Sequence, residues 1–213
     1  MAQNFFKRKG MMFIFSGPSG CGKSSIIKRV LQDLEDISLS VSVTTRPMRE
    51  GEAEGVDYYF IDENKFHELV DQKALYEYVD SDFGPKYGTP RQPVDELLAQ
   101  GKDVILDVDY PGVQQMCAIA RDRIKTVSIL PPSLMLLRER LVNRGTDSME
   151  VIERRMSMAE KRIKECKFYD YIIINDDLDT AVNEVKSIIS ASRVENKNIC
   201  NLEELIKVVT EDK

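Results

Sequence analysis

The 213-residue sequence predicts an α/β fold, a parallel sheet flanked by helices with an inserted lobe of mixed α and β character. Three observations carry this expectation. Short, uninterrupted apolar runs recur along the chain, as in strands buried on both faces. Segments with apolar residues at helical spacing alternate with those runs. Between residues 44 and 93 the alternation gives way to clustered glycines, prolines and tyrosines.

Taken in order, residues 11–15 read as a buried strand ended by Ser16-Gly17-Pro18. After Lys23, the residues Ile26, Ile27, Val30, Leu31 and Leu34 fall on one helical face. Residues 40–43 read as a second short strand. In the inserted stretch, 58–61 and 74–79 read as strands, and Asp62 is placed to cap a helix bearing Phe66, Leu69 and Val70. Residues 94–100 read as a helix stopped by Gly101, and 104–109 as a buried strand ending in two carboxylates. A strand at 126–130 is halted by Pro131-Pro132, and Leu134, Leu137, Leu141 and Val142 continue as an amphipathic helix. A polar break at 143–148, a charged helix at 149–168, a last strand at 171–174 and a helix at 176–190 follow. The tail, 193–213, is polar at first, and then Leu202, Leu205, Ile206 and Val209 line one helix face.

Composition narrows the function classes. A hydrophobic fraction of 42% supports a sizeable core. Thirty basic against 36 acidic residues, a net charge of −6, argue against a general nucleic-acid binder. Cys21, Cys117, Cys166 and Cys200 show neither metal-ligand spacing nor a disulfide framework, which fits a reduced cytoplasmic compartment. Residues 1–10, with Lys7, Arg8 and Lys9, read as a short disordered lead, and no apolar run behind them suits a signal peptide or a membrane span.

Four constellations carry chemistry. Gly17-x-x-x-x-Gly22-Lys23-Ser24 follows a predicted strand and opens a predicted helix. Its glycines let successive N–H groups face phosphate oxygens, the helix N-terminus adds its dipole, Lys23 reaches the β- and γ-phosphates and Ser24 holds Mg²⁺. Arg46 and Arg49, three apart in a loop beside Pro47, suggest a second anion site, since guanidinium groups grip phosphate in a two-pronged fashion. Glu77 and Asp109 suit the N1–H and N2–H₂ donors of guanine, with the hydroxyls of Ser42 and Thr89 facing its O6. Arg140 and Arg144 share a helix face before Gly145, with Arg154-Arg155 beyond, as in a mobile lid over a transferring phosphoryl group. Taken singly, the carboxylates and hydroxyls are better read as surface polar residues, the loop arginines equally well as a solvated loop, and Arg154 is open to the same reading. His67, the one histidine, is structural or surface, and no base is required for phosphoryl transfer.

Together these residues resemble bacterial guanylate kinase from about residue 11 to 190. The resemblance rests on residues 16–24, 40–47, 87–91, 105–109 and 129–133, on Arg140-Leu141-x-x-Arg144-Gly145, and on Asn175-Asp176-Asp177. It implies a P-loop NTPase-type core (1–43 and 94–192), a GMP-binding lobe (44–93) and a helical lid (about 138–158), with 193–213 outside the match. It implies ATP and GMP as partners, with dGMP as a further acceptor, Mg²⁺ as cofactor, no nucleic acid or membrane, and a monomer or homodimer. Carried over by motif, residues 17–24 (Gly17, Pro18, Ser19, Gly20, Cys21, Gly22, Lys23, Ser24) hold ATP, with Asn175 near the adenine. Ser42, Glu77, Thr89 and Asp109 contact guanine, and Arg46, Arg49, Tyr58 and Tyr87 hold the GMP phosphate. Lys23, Arg46, Arg140, Arg144 and Arg155 act in catalysis, and Asp107 orients Mg²⁺ through water alongside Ser24. Two departures, Tyr110-Pro111-Gly112 and a Phe83-Gly84-Pro85-Lys86 stretch one residue longer than usual, are expected in loops beside the acceptor site. The competing class is a guanylate-kinase-like protein-binding module without catalysis, against which the presence of Lys23, Ser24 and the lid arginines counts.

Overall fold

The computed structural model describes residues 7–80, 84–145 and 148–211. In chain order the strands and helices are β1 (Met12–Ser16), α1 (Lys23–Asp33), β2 (Ile37–Leu39), β3 (Ser42–Thr44), β4 (Tyr58–Phe60), α2 (Glu63–Asp71), β5 (Leu75–Val79) and β6 (Tyr87–Pro90). They continue as α3 (Arg91–Ala99), β7 (Asp103–Asp107), α4 (Tyr110–Ala120), β8 (Ile124–Leu130), α5 (Leu134–Asn143), α6 (Met149–Lys164), β9 (Tyr171–Ile174), α7 (Leu178–Arg193) and α8 (Leu202–Glu211). The first sheet has strand order β2-β7-β1-β8-β9, and every pairing in it is parallel.

Alternation along β1 builds both halves of the core. Phe13 and Phe15 face Ile26 and Val30 of α1 and Val185 and Ile189 of α7, whereas Met12 and Ile14 face Leu98 of α3 and Val113 and Met116 of α4. Helices cover both faces, which is why the central strands read as unbroken apolar runs. Helices α5 and α6 pack on each other through Leu137, Leu141, Ile152 and Ala159. Among the described residues no helix is long and apolar enough to cross a membrane.

The second sheet has order β4-β3-β6-β5, with β3 parallel to β4 and antiparallel to β6. Asp62 caps α2 as expected, accepting the Lys65 N–H at 2.7 Å. The sequence-based strand at 40–43 is divided in the structure. Residues up to Leu39 belong to the first sheet and Ser42 onward to the second, so Ser40-Val41 is the crossing between them. Ser42 and Val43, assigned by sequence to the core segment, therefore sit in the second sheet.

The ten-residue lead does not read correctly as disordered from Lys7 onward. Lys9 N–H donates to Asn198 O at 2.8 Å, Cys200 N–H donates to Lys7 O at 2.8 Å, and Arg8 pairs with Asp103 at 2.6 Å. Residues 110–112 do not form a loop either: they are the first turn of α4, with proline near its start, where a missing N–H costs nothing. Phe83 and positions 146–147 of the polar break lie outside the described residues.

Candidate active site

The phosphate loop joins β1 to α1, and its backbone conformation requires glycine. Gly22 has φ +96°, and a Cβ there would lie 2.1 Å from Asn175 Nδ2. Asn175 is buried and donates that Nδ2 to the Cys21 carbonyl at 2.7 Å, and its own carbonyl accepts Arg140 Nη2 at 3.0 Å. The end of β9 thus braces the loop from below and orients an arginine beside it. Lys23 Nζ donates to Gly17 O at 3.1 Å, and Arg155 Nη1 donates to Ser19 Oγ at 3.1 Å. Burial pushes the Cys21 thiol up, so it packs as a small apolar residue. Pro18, Gly20 and Ser24 line a cavity of about 370 Å³ together with Arg140 and Arg144. A helix N-terminus, a glycine loop and convergent cations form a polyphosphate cradle.

A second cavity, of about 500 Å³, opens between the two sheets and is lined by Ser42, Tyr58, Glu77, Tyr87, Asp107 and Asp109. Glu77 is buried, and desolvation raises its carboxyl above the ordinary range, with the Asp109 charge adding to the effect. Thr89 is fully buried behind it and donates its hydroxyl to Glu77 Oε1 at 2.6 Å. The Thr89 hydroxyl, expected from its donor chemistry to face O6, is thus engaged in orienting the carboxylate. Asp109 accepts both Nη atoms of Arg162 at 2.5 Å.

At the rim, Arg46 forks onto Glu52 at 2.9 and 2.7 Å, and its guanidinium lies 5.4 Å from the Tyr58 ring centre and 5.7 Å from that of Phe60. Its hydrogen bonds to Glu52 raise its pKa further, and Arg46 in turn holds Glu52 low. Tyr58 meets Tyr87 edge-on at 5.9 Å. Arg49 is exposed, and its backbone N–H donates to Glu52 Oε2 at 2.8 Å. Arg46, Tyr58 and Tyr87 therefore converge, with Arg49 beside them on the loop. Gly84 and Pro85 also line the cavity, while Lys86 turns back onto Asp80.

Asp107 ends β7 between the two regions. It lines the second cavity, shares a cavity of about 420 Å³ with Ser24, and lies 3.7 Å from Lys23 Nζ. Desolvation raises its carboxyl, and Lys23 pulls it back down. Among the described residues no group of three or more His, Cys, Asp or Glu suits a metal cage. A hydroxyl and a carboxylate on one cavity instead fit a hard cation that arrives with phosphates and keeps several waters.

Arg154 is exposed, and His67 is half-exposed, 3.9 Å from Asp80 and against Phe66, away from both cavities. Sequence reasoning missed two residues. Glu52 was signalled by its place six residues after Arg46 in the same loop, and Arg162 by lying seven residues after Arg155, on the same helix face.

Comparison with known proteins adds an independent line. The guanylate kinase family model matches residues 9–192. Guanylate kinase from Zymomonas mobilis is 47% identical over 190 residues, covering 89% of this chain and 88% of that one. Guanylate kinase from Carboxydothermus hydrogenoformans is 44% identical over 191 residues, covering 90% and 93% respectively. The crystal structure of guanylate kinase from Anaplasma phagocytophilum superposes with a TM-score of 0.77 at 31% identity, covering 95% of this chain and 96% of that chain.

Proposed function

The chain belongs to the guanylate kinase family, and from that premise we propose that it transfers the γ-phosphoryl group of ATP to GMP, giving ADP and GDP. The observation that carries the reading is the position of Asp107. It lines the acceptor cavity and stands 3.7 Å from the lysine of the phosphate loop, so donor and acceptor sites share a wall. The same two-sided arrangement speaks against a binding module without catalysis, which has no use for Lys23 and Arg155 gathered at the loop.

The residues act by positioning and charge. The loop amides and Lys23 bind the β- and γ-phosphates. Arg46, Arg49, Tyr58 and Tyr87 seat the acceptor phosphate, and Glu77 and Asp109 accept the N1–H and N2–H₂ of guanine, with Ser42 beside them. A phosphate oxygen of GMP attacks the γ-phosphorus as the bond to the β–γ bridging oxygen breaks, and ADP departs. Lys23, Arg140, Arg144 and Arg155 offset the charge on the transferring group. Ser24 and Asp107 would hold Mg²⁺, which when bound neutralises charge on the β- and γ-oxygens.

A coupled ADP-release assay with saturating ATP and GMP, AMP, CMP or UMP in turn tests the proposal. GMP is expected to support turnover and the others to do so at least about a hundredfold less well, as unpaired buried polar groups reject the wrong base. Equal rates with AMP overturn the assignment.

A further inference from the structure

Three carboxylates, Glu77, Asp107 and Asp109, line one cavity of about 500 Å³. Lys23 faces Asp107, and Thr89 supplies a neutral donor to Glu77. Asp109 is met by a cation from a distant part of the chain. Arg162, on α6, places both guanidinium nitrogens on both Asp109 oxygens at 2.5 Å, the parallel two-bond geometry that fixes a carboxylate in one orientation. The Arg162 side chain is one-quarter exposed and that of Asp109 about half exposed, so the pair borders the cavity instead of lying in the core.

A second contact stabilises the same junction. The ring of Tyr110, the residue after Asp109, lies 5.5 Å from that of Phe168 and 6.2 Å from that of Tyr169, just beyond the end of α6. Two helical turns before Arg162, on the same face, Arg155 bonds Ser19 of the phosphate loop. One helix therefore touches the donor site with one arginine and the acceptor site with another.

We propose that Arg162 is a positioning residue for acceptor-base recognition: its two-bond fork holds the Asp109 carboxylate in one orientation at the acceptor cavity, and so ties guanine recognition to the helix that carries Arg155. The inference rests on the assignment of that cavity to GMP. Its effect falls on GMP binding, because the pair touches a carboxylate that reads the base and no phosphate of either substrate. Arg162→Gln removes the fork and the charge while keeping a shorter, polar side chain. The partly exposed pair sets the expected size, a rise in KM for GMP of about three- to tenfold, with kcat and the KM for ATP within about twofold. Arg162→Lys restores the charge without the fork and recovers part of the loss.

The deciding experiment is a double-mutant cycle on KM for GMP with Arg162→Gln, Asp109→Asn and the pair together, with melting curves verifying that each variant is folded. If Arg162 acts through Asp109, the Arg162→Gln effect disappears in the Asp109→Asn background. Additive effects, an unchanged KM for GMP in Arg162→Gln, or an equal loss in kcat and in KM for ATP each overturn the inference. The unaltered enzyme assayed in parallel with GMP and AMP separates the two readings. If AMP serves equally, the GMP assignment fails; if GMP is preferred and Arg162→Gln behaves like the unaltered enzyme, only the role of Arg162 fails.

Discussion

Glu77 shows at the scale of one residue how recognition and stability oppose each other. Its carboxyl is buried, and desolvation raises its pKa even though Thr89 donates to it. A raised carboxyl pKa favours the protonated form in the folded state. That stabilisation is fully present below the pKa of the unfolded chain and is lost as pH rises through the folded value. Glu77→Gln keeps an acceptor for Thr89 and removes the charge. Its melting temperature is therefore expected to gain on the unaltered protein between pH 4 and pH 8, with the gap widening as pH increases. The same variant is expected to lose roughly 10- to 100-fold in kcat/KM for GMP, because charge-assisted bonds to the base are replaced by weaker ones. A constant gap in melting temperature across that range contradicts the account. The phosphate loop was readable residue by residue because its geometry is local: glycines, lysine and serine stand within eight positions. The Arg46–Glu52 fork and the Arg162–Asp109 pair were not, since a charged side chain in a sequence defaults to solvent and its partner is set by the fold.

Among the helices, α4 is the one whose existence the sequence concealed. Pro111 and Gly112 look like breakers, yet proline suits a first helical turn, and Gly112 serves close packing. A Cβ on Gly112 would lie 2.4 Å from Val108 Cγ1 and 2.7 Å from Glu77 Oε2. The start of α4 thus presses directly on the Glu77 carboxylate. Gly112→Ala is expected to displace Glu77, costing about 1–3 kcal/mol of stability and raising KM for GMP well beyond KM for ATP. Denaturant melts and two-substrate kinetics check this, and a variant with unaltered melt and unaltered GMP kinetics refutes it. Strand β6 was hidden for a related reason. Tyr87-Gly88-Thr89-Pro90 has little strand propensity of its own and becomes a strand by pairing with β3 on one side and β5 on the other. Where hydrophobic period, cap and neighbours agree, as in α2 with Asp62 or β8 before Pro131, sequence and structure coincide to within a few residues.

For the whole molecule, the chain crosses between the two sheets at Ser40-Val41 and at Pro90-Arg91. Transfer requires the attacking oxygen and the γ-phosphorus to approach within about 3–3.5 Å with water excluded, so closure about these crossings is expected when both substrates bind. Small-angle scattering with GMP and a non-hydrolysable ATP analogue is expected to show a smaller radius of gyration than with either alone, and curves that do not contract count against closure. The ends of the chain hold the first sheet together in a way no local pattern announced. Asp103, at the start of β7, is fully buried and accepts Arg8 at 2.6 Å, Met11 N–H at 3.0 Å and Arg193 Nε at 2.8 Å. Arg193 lies one residue beyond the family match, and Arg8 one residue before it. The match therefore contains a buried carboxylate whose cationic partners both lie just outside it. Arg193→Met removes one partner and leaves Arg8 and the Met11 N–H in place. The expected cost is about 2 kcal/mol, from the loss of one charge-assisted bond to a buried group and of the more exposed Arg193 Nη2 bond to Glu35 O at 2.7 Å, and not the larger penalty of an unpaired charge. For a chain of this size that lowers the melting temperature by roughly 4–8 °C. Both substrate cavities are lined by other residues, so KM for ATP and for GMP at low temperature is expected to stay within about twofold. A loss of activity without a loss of stability would place Arg193 in the reaction instead of the scaffold. Asp103→Asn with Arg193→Met should then cost less than the sum of the two single changes, because both weaken the Arg193–Asp103 pair.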